Sequence, residues 1–370
     1  MATVAPEMET MTQVASLVVS VAAILTPAGA AAGVVPRVGP GRALVLGLTS
    51  RFLRSYPASQ RVADAQKLNA FIHAAASDNY IVVSGPKGVG KSRLVNSVVG
   101  NNFGVIHVSA AAATGHKELV NDVLREVART NFMSIDPAPS ALRVAWFHKL
   151  FFQSPVTVVL HAMERKPDEK PAAIDSAARA LVGHGLRVIV DASTNAMAEE
   201  AVKTMREVFL RMEPMERSVL ERIEELGELL AALKEAGLDD VVWKVLGGLP
   251  SAYLQLNLNW TVAGKKDTES VATDYMHSRL TMAISEVTKS RAARPDVKPF
   301  YDLFVNNEYV DEGVLETMSL TRPNPDKVLR AVVVNGQVVR LVPADNAKRL
   351  VLRHKMRKNL PSLDELKMMS

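Results

Sequence analysis

From about residue 60 the chain alternates short, continuous apolar runs with longer stretches whose apolar residues recur at helical spacing. Tyr80–Val83, Gly104–Val108, Val156–Leu160, Leu186–Val190 and Glu207–Met212 have the length and apolar content of buried strands. Between and before them, Ser59–Ala75, Lys117–Thr130, Ala141–Phe151 and Ala172–Val182 read as helices. This alternation predicts an α/β domain, three layers deep, around a parallel five-stranded sheet. Beyond Met212 the pattern is helical. An amphipathic region covers Ser218–Ala236, a second helix Leu238–Leu246 stops at Gly247-Gly248, and Pro250 suits the first turn of the next helix. Thr268–Arg291 reads as one more helix and Pro299–Val305 as the start of a short one. In Val332–Val339, Asn335-Gly336 sits between β-branched residues, a strong signal for a two-residue hairpin turn. Helices followed by a hairpin suggest a winged-helix-like unit.

The first forty residues follow another pattern. Val14–Leu25 is an uncharged apolar run of about a dozen residues, and Pro27 and the small residues Ala28–Gly33 come after it. The run has the length of a signal-peptide core and is short for a membrane span, so no stable span is expected. Yet Glu7 and Glu9 precede it, and the first basic residue is Arg37. Two readings stand: a cleaved signal peptide, which places the protein outside the cell, or a retained Ala/Gly/Pro-rich leader, which leaves it cytoplasmic or nuclear.

Composition narrows the classes. A chain of 370 residues exceeds what one compact core usually accommodates, and 48% hydrophobic with 22% charged residues is the balance of a folded soluble protein. The absence of cysteine excludes a disulfide scaffold, a Cys-ligated metal and thiol catalysis. The net charge of +5, from 44 basic against 39 acidic residues, is mild and points to a local patch. Lys348, Arg349, Arg353, Lys355, Arg357 and Lys358 cluster with no acid between them. They read either as a nucleic-acid or nuclear-import patch or as a solvated helix face; aromatic residues for base stacking are lacking.

The strongest signal lies after the first strand. Ser84-Gly85-Pro86-Lys87-Gly88-Val89-Gly90-Lys91-Ser92 contains G-x-x-x-x-G-K-S, the phosphate-binding loop of P-loop nucleotide hydrolases. Glycines let backbone N–H groups converge on a polyphosphate, and the helix that begins there and runs on through Arg93 adds its positive end. Lys91 can reach the β and γ phosphates, and Ser92 can hold Mg²⁺. Residues 85 to 93 are thus the candidate cofactor-binding residues. Mg²⁺ and an attacking water also require a carboxylate opposite the loop. By strand order it belongs at the end of Val156–Leu160, where His161 and Ala162 stand instead. Glu164 is the nearest substitute and the first choice for a metal or base role; Asp191, closing Leu186–Val190 ahead of Ala192-Ser193-Thr194-Asn195, is its rival. His161 reads as a structural polar residue. No N-K-x-D or T-K-x-D tetrapeptide follows, so ATP is a better guess than GTP.

Gly248-Leu249-Pro250 matches the G-x-P motif of a helical lid, and its distance behind the loop resembles the STAND class of P-loop ATPases. The resemblance implies that Pro250 contacts nucleotide, a role that competes with simple helix capping. From Asp78 to Leu363 the chain also resembles the ATPase region of Crinkler-type effector proteins. VVSGPKGVGKS at Val82–Ser92, LHAMERKP at Leu160–Pro167, GLRVIVDAS at Gly185–Ser193 and VVWKVLGGLP at Val241–Pro250 carry that likeness. The ubiquitin-like header and L-F-L-A-K motif of those effectors are not found in residues 1 to 60, and no nuclease constellation follows.

These readings divide the chain into a leader (1–58), a P-loop NTPase domain (59–214), a helical lid (215–295) and a winged-helix-like unit with a basic tail (296–370). They lead us to expect an ATP- and Mg²⁺-binding switch that hydrolyses slowly, with a protein partner of unknown identity and self-association as an option. The alternatives are a nonhydrolysing nucleotide-bound interaction module and a nucleic-acid-stimulated ATPase.

Overall fold

The computed structural model describes residues 42–44, 46–47, 61–74, 79–100, 102–110, 115–128, 137–162, 171–192, 208–293, 298–317, 328–334, 337–356 and 360–369. The apolar run 14–25, Glu164, residues 193–195 and the Asn335-Gly336 turn lie outside them.

Strands β1 (Ile81–Ser84), β2 (Val105–Ser109), β3 (Thr157–Ala162), β4 (Arg187–Ala192) and β5 (Val208–Arg211) form one parallel sheet in the order β2-β3-β4-β1-β5. A parallel sheet is covered on both faces, which is why these strands read as unbroken apolar runs. Strand pleating then sorts their side chains. Ile81, Val83, Val159, Ile189 and Leu210 face a core shared with α1 (Val62–Ala74) and α2 (Lys91–Val99). Val82, Ile106, Val158, Leu160, Val188 and Val190 face α3 (His116–Ala128), α4 (Ala138–Phe152) and α5 (Pro171–Gly183). The expected three-layer α/β fold of a P-loop NTPase is therefore present.

The amphipathic region after β5 is not continuous. It splits into α6 (Arg217–Leu220), a 3₁₀ turn (Glu224–Leu226) and α7 (Gly227–Glu235), with Ile223 extended between them. Leu220, Ile223 and Leu226 are all buried, so the break keeps a three-residue apolar spacing pointed inward. Next come α8 (Asp239–Leu246), α9 (Pro250–Val262) and the long α10 (Thr268–Ala293). Ala272, Met276, Leu280, Ala283 and Val287 line one face of α10, the stripe expected of a helix packed on one side.

The C-terminal part contains α11 (Lys298–Leu303), β6 (Val310–Asp311), α12 (Glu312–Thr317), β7 (Leu329–Val334), β8 (Gln337–Pro343), α13 (Asn346–Arg353) and α14 (Leu363–Met368). The hairpin β7–β8 gains β6 as a third strand in the order β6-β8-β7, giving with its helices a winged-helix-like unit. One apolar cluster runs from the α1–α2 face of the large sheet through Leu229, Val242, Leu256 and Leu280 to Leu341 and Leu352. The helical and C-terminal parts are thus packed onto the sheet through a shared core.

The basic cluster is reduced by internal pairing. Lys348 is buried, with its ammonium 2.8 Å from Glu286 of α10 and 3.2 Å from Asp345. Burial opposes its charge, but the two carboxylates prevail and raise its pKa above the ordinary lysine value. Arg349 pairs with Glu308, while Arg357 and Lys358 lie outside the described residues. No helix among the described residues is long and apolar enough to cross a membrane.

Candidate functional site

The turn between β1 and α2 is built by backbone geometry. Gly85, Gly88 and Gly90 all have positive φ, at 154°, 86° and 99°, and Gly90 caps α2 in the left-handed region. Val89 is fully buried and anchors the loop to the core, while Lys87 is exposed. Beside the loop, Met212 donates its N–H to Ser84 O at 2.7 Å and so ties the end of β5 to the end of β1.

Lys91 opens α2 and is buried, its ammonium donating to the carbonyls of Gly85 and Pro86 at 2.9 and 3.0 Å. Burial lowers its pKa below the ordinary lysine value, with the charge of Asp191 working in the opposite direction. Such a lysine is held over its own loop and gains from any anion placed there. Arg93 turns away from the loop, 3.5 Å from Glu225 in the 3₁₀ turn.

Across from the loop the strand ends converge. Ser92 donates its hydroxyl to Asp191 Oδ2 at 2.5 Å. His161 Nδ1 stands 3.1 Å from the same oxygen, and His161 Nε2 stands 3.1 Å from His107 Nδ1. Register places these groups: β3 and β4 pair His161 opposite Asp191, while β2 runs beside β3. The two imidazoles meet edge to edge and nearly in one plane, with centroids 5.3 Å apart. Of the two acids considered from sequence, Asp191 is brought to Ser92, and Glu164 lies outside the described residues. The contribution of His161 and His107 was missed; the only signal for it was a histidine at a strand end where an acid was expected.

A hydroxyl and a carboxylate are hard oxygen donors, the kind that holds Mg²⁺ together with substrate phosphates. No group of three or more His, Asp or Glu residues able to hold a metal unaided is found among the described residues. Ser92 and Asp191 thus fit a magnesium that arrives with a polyphosphate.

The G-x-P segment meets the loop directly. Pro250 is buried as the first residue of α9, and the N–H of Ser251 donates to Gly88 O at 3.2 Å. A Cβ on Gly88 would lie 2.0 Å from Ser251 Oγ, and one on Gly248 would lie 1.9 Å from Met215 O. Gly248 needs glycine because the Met215 backbone approaches so closely, and Gly88 because its φ is left-handed as well as close to Ser251. Met215 N–H also donates to Gly248 O at 2.7 Å. The G-x-P segment therefore touches both the phosphate-binding loop and the segment leaving β5. Farther along, a cavity of about 200 Å³ is lined by Leu220, Leu230, Trp243, Tyr253, Arg217 and Asp239 among others, but no loop residue borders it. We place the chemistry at the loop, where the phosphate-binding groups converge.

No known protein family matches the sequence, and no curated protein matches it. Among solved structures, the chain is similar to a RuvB variant from Thermotoga maritima, with a TM-score of 0.42, 9% identity, and coverage of 82% of this chain and 97% of that one. Cdc6p from Pyrobaculum aerophilum gives 0.40 and 9%, covering 83% and 98%. The Orc1 protein of Aeropyrum pernix, solved in complex with DNA, gives 0.39 and 13%, covering 83% and 96%. At these values the likeness assigns neither activity nor partner to this chain, and the fold rests on its own strand order and loop.

Proposed function

We propose that this chain is an ATP-binding switch of the STAND kind, related to the ATPase region of Crinkler-type effectors, in which nucleotide at the loop sets the position of the helical lid. The units of the switch are the P-loop domain (59–214), the lid (215–295) and the winged-helix-like unit (296–370). The contact between Gly88 and Ser251 carries this reading: the first turn of a lid helix rests on the backbone that would cradle the phosphates. Lys91 binds phosphate, while Ser92 and Asp191 hold Mg²⁺, which when bound would neutralise phosphate charge. A ligand that contacts both loop and α9 shifts their arrangement by its differential affinity for the two states.

Turnover is slow in this proposal. A histidine stands at the end of β3, so the described residues supply one carboxylate beside Ser92. That observation also favours the second reading, a nucleotide-bound interaction module that does not hydrolyse. Phosphate release measured with Mg²⁺-ATP, with and without DNA or RNA, separates the two and tests the nucleic-acid-stimulated alternative, which the pairing of Lys348 disfavours. Hydrogen exchange over residues 216–260, with and without ATP, tests the switch itself. We expect nucleotide-dependent protection in the wild type and weaker protection in Pro250→Ala. Equal exchange with and without ATP would leave the G-x-P segment as helix punctuation.

A further inference from the structure

We propose that His161, backed by His107, is a positioning residue that holds the Asp191 carboxylate for magnesium. This deepens the nucleotide reading above and rests on it.

With His161 neutral, the hydrogen-bond chain has one consistent direction. An ionised carboxylate only accepts, so the Ser92 hydroxyl and His161 Nδ1 both donate to Asp191 Oδ2, at 2.5 and 3.1 Å. His161 is then the Nδ1–H tautomer. Its Nε2 accepts, and the group facing it at 3.1 Å, His107 Nδ1, donates. The two rings lie nearly in one plane, 12° apart, so the lone pair of one nitrogen and the N–H of the other are aligned and hold the imidazole orientation. With Oδ2 engaged twice, Asp191 Oδ1 takes no hydrogen bond from the described residues and remains the free acceptor of the site.

This arrangement differs from a pair of acids. Two carboxylates would each be aimed by their own surroundings, whereas here one carboxylate is aimed by an imidazole reached from the next strand, and that imidazole by a third strand. Side-chain groups that orient a metal ligand act through its geometry, and their loss weakens metal affinity by about 10–100-fold where measured.

Two measurements test the proposal. In nucleotide-free protein, ¹⁵N–¹H correlation of the imidazoles, assigned by comparison with His161→Asn, should show His161 protonated at Nδ1, and Asp191→Ala should abolish that preference. Second, the affinity for a fluorescent ATP analogue is compared in Mg²⁺ and in EDTA. His161→Leu should lose about tenfold of the Mg²⁺-dependent gain and keep its affinity in EDTA. His161→Asn places an amide N–H where Nδ1–H stood and should recover most of the loss. Should the leucine variant melt early, His161→Gln, whose amide reaches the Nε2 position, replaces it and should behave like leucine. An Nε2–H tautomer in the wild type, or equal Mg²⁺ dependence in all variants, would overturn the proposal. A wild type that binds no ATP would overturn the nucleotide reading instead, and the imidazole spectrum would still decide whether His161 holds Asp191.

Discussion

The candidate site has two sides made in different ways. The loop side is local: from Gly85 to Ser92 it is one stretch of chain whose left-handed glycines and buried lysine form within a single turn. The strand-end side is assembled from β2, β3 and β4, and its groups, His107, His161 and Asp191, come from segments up to 84 residues apart and meet through sheet register alone. In the proposed reading the loop side supplies phosphate contacts through backbone and Lys91, and the strand-end side supplies the acid and the groups that aim it. A chain so built would keep binding on the first side while its hydrolysis is set by the second.

The comparison breaks most sharply at Lys91. Lys91→Ala removes a charge-assisted phosphate contact, about 2–3 kcal/mol or on the order of 100-fold in ATP affinity. Little packing is lost, so the melting temperature should stay close to that of the wild type. Calorimetry that finds unchanged ATP affinity would remove the loop side from the site.

Next in size is the strand-end side. Asp191→Asn keeps the shape and removes the charge, so steady-state phosphate release should fall about tenfold or more while ATP binding in EDTA changes little. Glu164→Gln is the control, since Glu164 was the first choice from sequence. A loss confined to Glu164→Gln would reverse the assignment and return the metal role to the segment after β3.

The two sides also differ in how far the sequence made them legible. Strand runs, the loop and the G-x-P segment are read from neighbours in the chain, and each reappears in the structure: β1 through β5, the left-handed Gly90 cap, Pro250 opening α9. The partner of Ser92 was not legible in the same way. Which acid faces the loop depends on the order β3-β4-β1, which puts β4 directly beside the loop strand and makes Asp191 a cross-strand neighbour of Val83. Chain order favoured the β3 end; spatial order favours β4. The basic tail failed similarly, because Glu286, which pairs with Lys348, lies on a helix far back in the chain.

A smaller effect sharpens the join between loop and lid. Gly88→Ala forces a side chain into a left-handed position, at about 1–2 kcal/mol, and pushes against Ser251 Oγ. In the double variant Gly88→Ala with Ser251→Gly the contact is relieved and the backbone strain stays. If the loop and α9 are coupled there, the single variant should alter ATP-dependent exchange in α9 and the double variant should partly restore it. Identical exchange in both would mean that only loop strain was felt.

The smallest effect lies away from the site, where the α4 layer covers the sheet. His148 is fully buried, its Nδ1 2.9 Å from Ser154 O, and burial lowers its pKa below the ordinary 6.5, with the Ser154 carbonyl pulling weakly the other way. His148 is therefore less protonated in the folded than in the unfolded chain just below pH 6.5, and its contribution to stability follows. Stability should fall as pH drops from there through the folded-state pKa, then level off once both states are protonated. Phe152 already packs against His148 with ring centroids 4.8 Å apart and planes tilted by 38°, so His148→Phe keeps an aromatic ring in place while losing one hydrogen bond, about 1 kcal/mol near neutral pH. Thermal melts of the two proteins between pH 7.5 and 5 should draw together as the acid sensitivity of the wild type appears and that of the variant does not. Parallel curves would show that His148 titrates alike folded and unfolded.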